Sequence, residues 1–331
     1  HKGTNITVTG EAFERTNDLK CVFEMNDATV STRARWHSTT TLTCIAPPVH
    51  HHPTRSTLRV TTNGIDLSQS GANFEHIEAT VLTSIHPFRG PSVGGTWISV
   101  FGSGMREGLH CLFGGSPVQS YYVDSGEVQC LTPAATRSGG SNVTVTVSSQ
   151  VAAATGMAEF QYYDHPKITS TTPAFGSKHG GTPVRLIGSG FSSSPDIHCR
   201  FGSSVVEATF VSDAEITCAS PIGVAGTAQE VSVSLNSVNY IRAPAEFAYR
   251  EPVILQSVQP HWVEVSGGAT LSISGSNFED TSDLSCIFSD DLSGSTNRVR
   301  AEYLSSVEVT CKSPPSPTSS TELALAVTSN G

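Results

Sequence analysis

The eight cysteines of this 331-residue chain stand at positions 21, 44, 111, 130, 199, 218, 286 and 311, two per period of roughly 88 residues, four times over. A fixed period constrains the fold more than any local propensity, because every period must close as the same structural unit. Four further markers keep the register. Each first cysteine opens a C-x-F (Cys21 to Phe23, Cys111 to Phe113, Cys199 to Phe201, Cys286 to Phe288). Each second cysteine opens a C-x-x-P (Cys44 to Pro47, Cys130 to Pro133, Cys218 to Pro221, Cys311 to Pro314). A Gly-led segment precedes each pair, at 3–10, 95–102, 181–188 and 268–275. An A-x-F closes three of the four units, ending at Phe74, Phe160 and Phe247.

Within each unit the apolar residues recur with period two. Ile6/Val8, Ile98/Val100, Val184/Leu186 and Leu271/Ile273 alternate with polar neighbours, as do Leu58/Val60, Val143/Val145/Val147, Val231/Val233/Leu235 and Leu323/Leu325/Val327. That pattern buries one strand face and wets the other. Turn formers such as Asn63-Gly64 and Gly114-Gly115 separate the runs. Only 15% of residues are charged, there are three Met, and little material exists for helices. Seven or so short strands in each unit predict an Ig-like β-sandwich. Gly-Ser-Gly at 102–104 and 188–190 lacks the third glycine and the helix of a dinucleotide fingerprint, and reads as a strand-ending turn.

The order of these markers resembles the IPT/TIG family, the Ig-like domains shared by plexins and certain transcription factors. The second unit carries it in Ile85-His86-Pro87, Gly90, Gly94-Gly95-Thr96, Gly102, Cys111-Leu112-Phe113-Gly114, Val128, Cys130 and Pro133. The third carries it in Pro173, Gly176, Gly180-Gly181-Thr182, Gly188, Phe191, Cys199, Phe201-Gly202, Ile216, Cys218 and Pro221. The fourth departs, with His261-Trp262 at the glycine turn, Ala269 for Thr, and Ser289-Asp290-Asp291 after its C-x-F. The resemblance implies an all-β chain of four IPT/TIG-type sandwiches in a rod-like array, with domains at 1–78, 79–164, 165–251 and 252–331. Pro166 and Pro252 stiffen the short joints. The first unit lacks the Ile-x-Pro segment and the fourth lacks A-x-F, so the sequence reads as a window onto a longer array.

One cysteine pair per unit predicts intradomain disulfides: Cys21–Cys44, Cys111–Cys130, Cys199–Cys218 and Cys286–Cys311. The chain has no C-x-x-C, which disfavours zinc. Disulfides place the segment outside the cell or at its surface. Sequons at Asn5 and Asn142 fall on the polar phase of their strands, where N-linked glycans fit. The tract holding Ser316, Thr318, Ser319, Ser320 and Thr321 offers O-glycosylation positions or an ordinary polar loop.

No catalytic constellation emerges, and no enzyme, cofactor or metal is expected. His50-His51-His52 reads as a loop, and the acidic residues Glu279, Asp280, Asp283, Asp290 and Asp291 match no Ca²⁺ loop spacing. Nineteen basic against 29 acidic residues give a net charge of −10, and no unit is net positive, which argues against nucleic acid. No apolar run reaches the ~18 to 20 residues of a membrane-spanning helix. Trp36, Trp97 and Trp262 sit at non-equivalent positions, so none is expected to be a core marker shared by the repeat, and Trp97, on the outward phase of its strand, is the candidate contact for another domain, chain or glycan. The composite expectation is an extracellular structural or adhesive glycoprotein in a surface stalk, coat or filament, whose partners are other chains or copies of itself. A plexin-like receptor stalk and an ancillary array of a secreted carbohydrate-active enzyme are the alternatives.

Overall fold

A computed structural model describes residues 4–25, 28–48, 54–136, 140–149, 154–289, 294–315 and 322–330. The described residues contain strands and turns and no helix. They form two compact units, one of His1–Ile85, Ser99–Cys130 and Thr144–Ala158, the other of His86–Ile98, Leu131–Val143 and Glu159–Gly331.

The third repeat lies wholly in the second unit and displays the domain plan. Lys167–Thr172 pairs antiparallel with Pro183–Ser189, which pairs with Glu215–Ala219, which pairs with Ser204–Ser212. The first half of Ser204–Ser212 turns into the opposite sheet and pairs with His198–Phe201. Ala228–Ser234 follows, then Tyr240–Arg250, and Phe175–Ser177 runs parallel to that last strand. The alternation seen in the sequence supplies the core: Val184, Leu186 and Ile216 face Phe201, Val231, Val233, Phe247 and Tyr249. Each such side chain contributes about 1.5–3 kcal/mol by leaving water. Phe247 closes the core, its ring 5.5 Å from that of Phe201 and 5.3 Å from that of Tyr249. The glycine that ends Pro183–Ser189 is a packing requirement, since a Cβ at Gly188 would collide with the carbonyl oxygen of Lys167 on the neighbouring strand.

The fourth repeat builds one sheet from Ile254–Gln259, Thr270–Ser276, Glu308–Lys312 and Glu302–Ser305, and another from Thr296–Arg300, Ser285–Ser289 and Ala324–Thr328. Among the described residues, Ala324–Thr328 stands at a sheet edge, where the third repeat has Tyr240–Arg250. A cleft of about 580 Å³ opens beside it, lined by Val258, Trp262, Val263, Leu271, Phe288 and Leu325. Phe288 occupies the register of Phe201, so this cleft stands where Phe247 packs in the third repeat.

In the first unit, the first repeat sets Asn5–Thr9, Thr41–Ile45 and Arg35–Ser38 against Thr29–Arg33, Lys20–Glu24, Thr54–Thr61 and Ala72–His76. Phe13, Leu19, Phe23, Leu42 and Leu58 fill its core, with Trp36 and Phe74 packed against them. The second repeat contributes His110–Phe113, paired with Ser116–Asp124 and Asn142–Ser148, to this unit. To the other unit it contributes Arg89–Pro91, parallel to Ala158–Tyr163.

Candidate functional site

The structure joins Cys21 to Cys44, Cys111 to Cys130, Cys199 to Cys218 and Cys286 to Cys311, with Cα atoms 6.3 to 6.4 Å apart. All eight cysteines are buried, and in the third repeat the bridge ties a strand of one sheet to a strand of the other. A cross-link at that place restrains the sheets from separating.

Asn5 and Asn142 are exposed at the first positions of Asn5–Thr9 and Asn142–Ser148. Ser316, Thr318, Ser319, Ser320 and Thr321, His50 to His52, and Asp290 and Asp291 lie outside the described residues. Of the remaining acidic residues of the fourth repeat, Glu279 pairs with Arg250 at 3.5 Å. Among the described residues no three His, Cys, Asp or Glu side chains approach closely enough to hold a metal ion. Trp97 is 45% exposed and Trp262 82% exposed. Trp36 is different: its indole donates to the Phe13 carbonyl at 3.0 Å. It also occupies an aromatic position common to all four repeats, eight residues before the second cysteine, with Tyr122, Phe210 and Tyr303. Phe210 and Tyr303 also pack against their cores, whereas Tyr122 is 44% exposed. Trp36 is therefore part of a shared aromatic position that comparing the tryptophans only with one another overlooked.

The most elaborate polar arrangement lies where consecutive repeats meet within the second unit. Arg89, two residues after Pro87 in the second repeat, is only 3% exposed. Its guanidinium donates to the Ser193 carbonyl at 2.8 Å and to the Ser192 hydroxyl at 2.5 Å, and lies over the Tyr163 ring at 5.1 Å. Burial lowers the Arg89 pKa from its ordinary value, and the nearby Tyr163 and Asp196 oppose that shift. Burial pushes the Tyr163 phenol up to about 12. The Arg89 carbonyl in turn accepts from Nδ2 of Asn236 in the third repeat at 3.0 Å, and Thr96 donates to Oδ1 of Asn239 at 2.7 Å.

The third and fourth repeats reuse the contact. Phe175 stands two residues after Pro173, and its carbonyl accepts from Nδ2 of Asn330 at 2.9 Å. Asn236 and Asn330 share a register, each three residues after the valine (Val233, Val327) that pairs with the first cysteine of its repeat. In both, a hydroxyl two residues earlier donates to the asparagine Oδ1, from Ser234 at 3.1 Å and from Thr328 at 3.0 Å. Here the cation comes from the other element: Arg250 lies over the Phe175 ring at 5.5 Å. Sequence reasoning missed these joints, although an asparagine recurring in one register was a signal within reach.

The family model for the IPT/TIG domain matches residues 1–76, 80–162, 166–249 and 252–331. Among solved structures, one of the plexin A4 full extracellular region is 15% identical over 95% of this chain and 33% of that chain, with a TM-score of 0.40. A second plexin A4 extracellular structure is 13% identical over 100% of this chain and 45% of that one, with a TM-score of 0.33. SGBP-B of the Bacteroides ovatus mixed-linkage glucan utilization locus, solved with a mixed-linkage heptasaccharide, is 11% identical, with 99% and 86% covered and a TM-score of 0.28. The chain thus spans less than half the length of either plexin chain. With four matched repeats in one register, this chain belongs to the IPT/TIG domain family.

Proposed function

We propose that this chain is a segment of an extracellular structural and adhesive glycoprotein, in which tandem IPT/TIG domains form a surface stalk, coat or filament. The observation that carries this reading is the repetition of one buried disulfide in every repeat. Such bridges persist in oxidising compartments and stabilise small sandwiches with thin cores. The domains are taken at 1–78, 79–164, 165–251 and 252–331. The role is mechanical: the array sets distance and presents surface, its partners are other chains or copies of itself, and it performs no catalysis. Exposed Asn5 and Asn142 support glycan attachment on the outer faces. The buried polar contacts between consecutive repeats support a chain whose joints resist bending.

Electron microscopy of the native material tests this reading. A regular polymer, stalk or coat, with an axial repeat set by a whole number of domains, supports it. Dispersed single particles that act only by binding a soluble ligand overturn it.

A further inference from the structure

The joint between the second and third repeats and the joint between the third and fourth each hold an arginine, and the two charges are balanced differently. In the latter joint Arg250 pairs with the Glu279 carboxylate at 3.5 Å and lies over the Phe175 ring at 5.5 Å. Glu279 follows Phe278, which stands three residues after the strand-ending Gly275. The same register in the third repeat is Ser192, after Phe191, which stands three residues after Gly188. Ser192 and Ser193 accept from the Arg89 guanidinium, but neither brings a charge. Asp196 acts on Arg89 from a distance, and among the described residues no carboxylate forms an ion pair with it.

The Arg89 joint also holds two donors that lack acceptors. Arg89 is 3% exposed and Tyr163 6%. Among the described residues neither Nε of Arg89 nor the Tyr163 hydroxyl has a hydrogen-bond partner. The two side chains lie against each other, the guanidinium 5.1 Å from the centre of the phenol ring. At neutral pH both groups are donors. A guanidinium keeps its proton in proteins, and burial keeps the phenol protonated, with its pKa raised to about 12. Buried donors in native proteins find acceptors, and buried charges find opposite charges. One negatively charged acceptor satisfies both donors and the charge together. Water fits less well, because it brings no charge and adds two hydrogens that need acceptors of their own.

We infer that Arg89 and Tyr163 bind a small monovalent anion, of the size and charge of chloride, within the joint between the second and third repeats. Arg89 Nε and the Tyr163 hydroxyl donate to the ion, and its charge does for Arg89 what the Glu279 carboxylate does for Arg250. Both groups are more than nine-tenths buried, which suits a monatomic ion better than a phosphate or sulfate. Arg89 belongs to the second repeat and is held by Ser192 and Ser193 of the third, so the ion strengthens the joint between two domains. The stability of that joint then depends on the anion in the surrounding medium.

Thermal unfolding of the purified chain tests the site, with chloride replaced stepwise by gluconate at constant ionic strength. The wild-type midpoint is expected to rise with chloride. Above the dissociation constant, each tenfold increase multiplies the folding equilibrium constant by about ten. Tyr163→Phe removes one donor and keeps the ring, and is expected to raise the chloride needed by about tenfold or more. Ser192→Glu supplies the carboxylate that the next joint has, and is expected to hold the midpoint high without chloride and to flatten the response. A purely structural role for these side chains predicts neither change. A crystal grown in bromide is expected to show an anomalous-scattering peak within hydrogen-bond distance of Arg89 Nε and the Tyr163 hydroxyl. A wild-type midpoint indifferent to chloride overturns the anion site. So does a chloride response left unchanged in either variant, or a bromide crystal with only water at that place.

Discussion

The guanidinium of Arg89 and the carbonyl oxygen of Ser193, 104 residues apart in sequence, are 2.8 Å apart in a joint that leaves Arg89 only 3% exposed. A buried cation held this way is costly to orphan but also costly to lose, because its partners then face a void. Arg89→Ala is expected to lower stability by about 1.5–3 kcal/mol, the range for hydrogen bonds to charged groups. Arg89→Lys is expected to recover only part of the loss, since an ammonium cannot reproduce the guanidinium fork or its stacking on Tyr163. Guanidinium chloride unfolding of the three proteins measures both, and equal stability of wild type and Arg89→Ala would show the joint to be idle.

The tyrosines beside that joint give a pH dependence. Burial raises the phenol pKa values of Tyr162 and Tyr163 to about 12, above the ~10 of an unfolded chain. A raised pKa means that the folded state holds protons the unfolded state releases. The stability they contribute is complete below about pH 10 and is lost as pH climbs towards 12. Phenolate absorbance should therefore rise in two phases, exposed tyrosines first, and these two together with the buried Tyr249, whose pKa burial also raises, only as the domains open. A single early phase that includes every tyrosine would contradict the burial.

Each disulfide closes a loop of 19 to 25 residues. Cross-links of that span are worth about 3 kcal/mol in the chain-entropy model. Replacing Cys199 and Cys218 together by Ala is expected to cost about that much in the third repeat. Calorimetry of the variant, where that repeat melts earlier than its neighbours, measures it. An unaltered melting profile would assign the bridge no stabilising role.

Phe247 offers a test of the core. It is fully buried among Phe201 and Tyr249, so Phe247→Ala opens an enclosed cavity and is expected to cost about 3–5 kcal/mol. Denaturant titration measures the loss, and a variant as stable as the wild type would contradict the enclosed packing.

The sandwich was legible because burial writes itself into the sequence every second residue, as at Val184 and Leu186 or Val231 and Val233, and because four copies repeat the message. The joints were not legible for the opposite reason. Asn236 and Asn330 are polar residues in turns, where no periodicity distinguishes a buried side chain from a wet one. Arg89 reads as a surface charge until the third repeat is placed over it. The accepting position even changes type between Arg89 and Phe175, because the hydrogen bond uses the backbone carbonyl and leaves the side chain free to vary. Trp36 was misjudged through comparison with other tryptophans, when its counterparts are Tyr122, Phe210 and Tyr303.

The central claim is a disulfide-stapled array built for an oxidising surface, and intact mass spectrometry of the native protein without reductant addresses it most directly. With all eight cysteines paired, the mass should rise by eight hydrogens on reduction. No change in mass on reduction, meaning eight free thiols in the native chain, would contradict it.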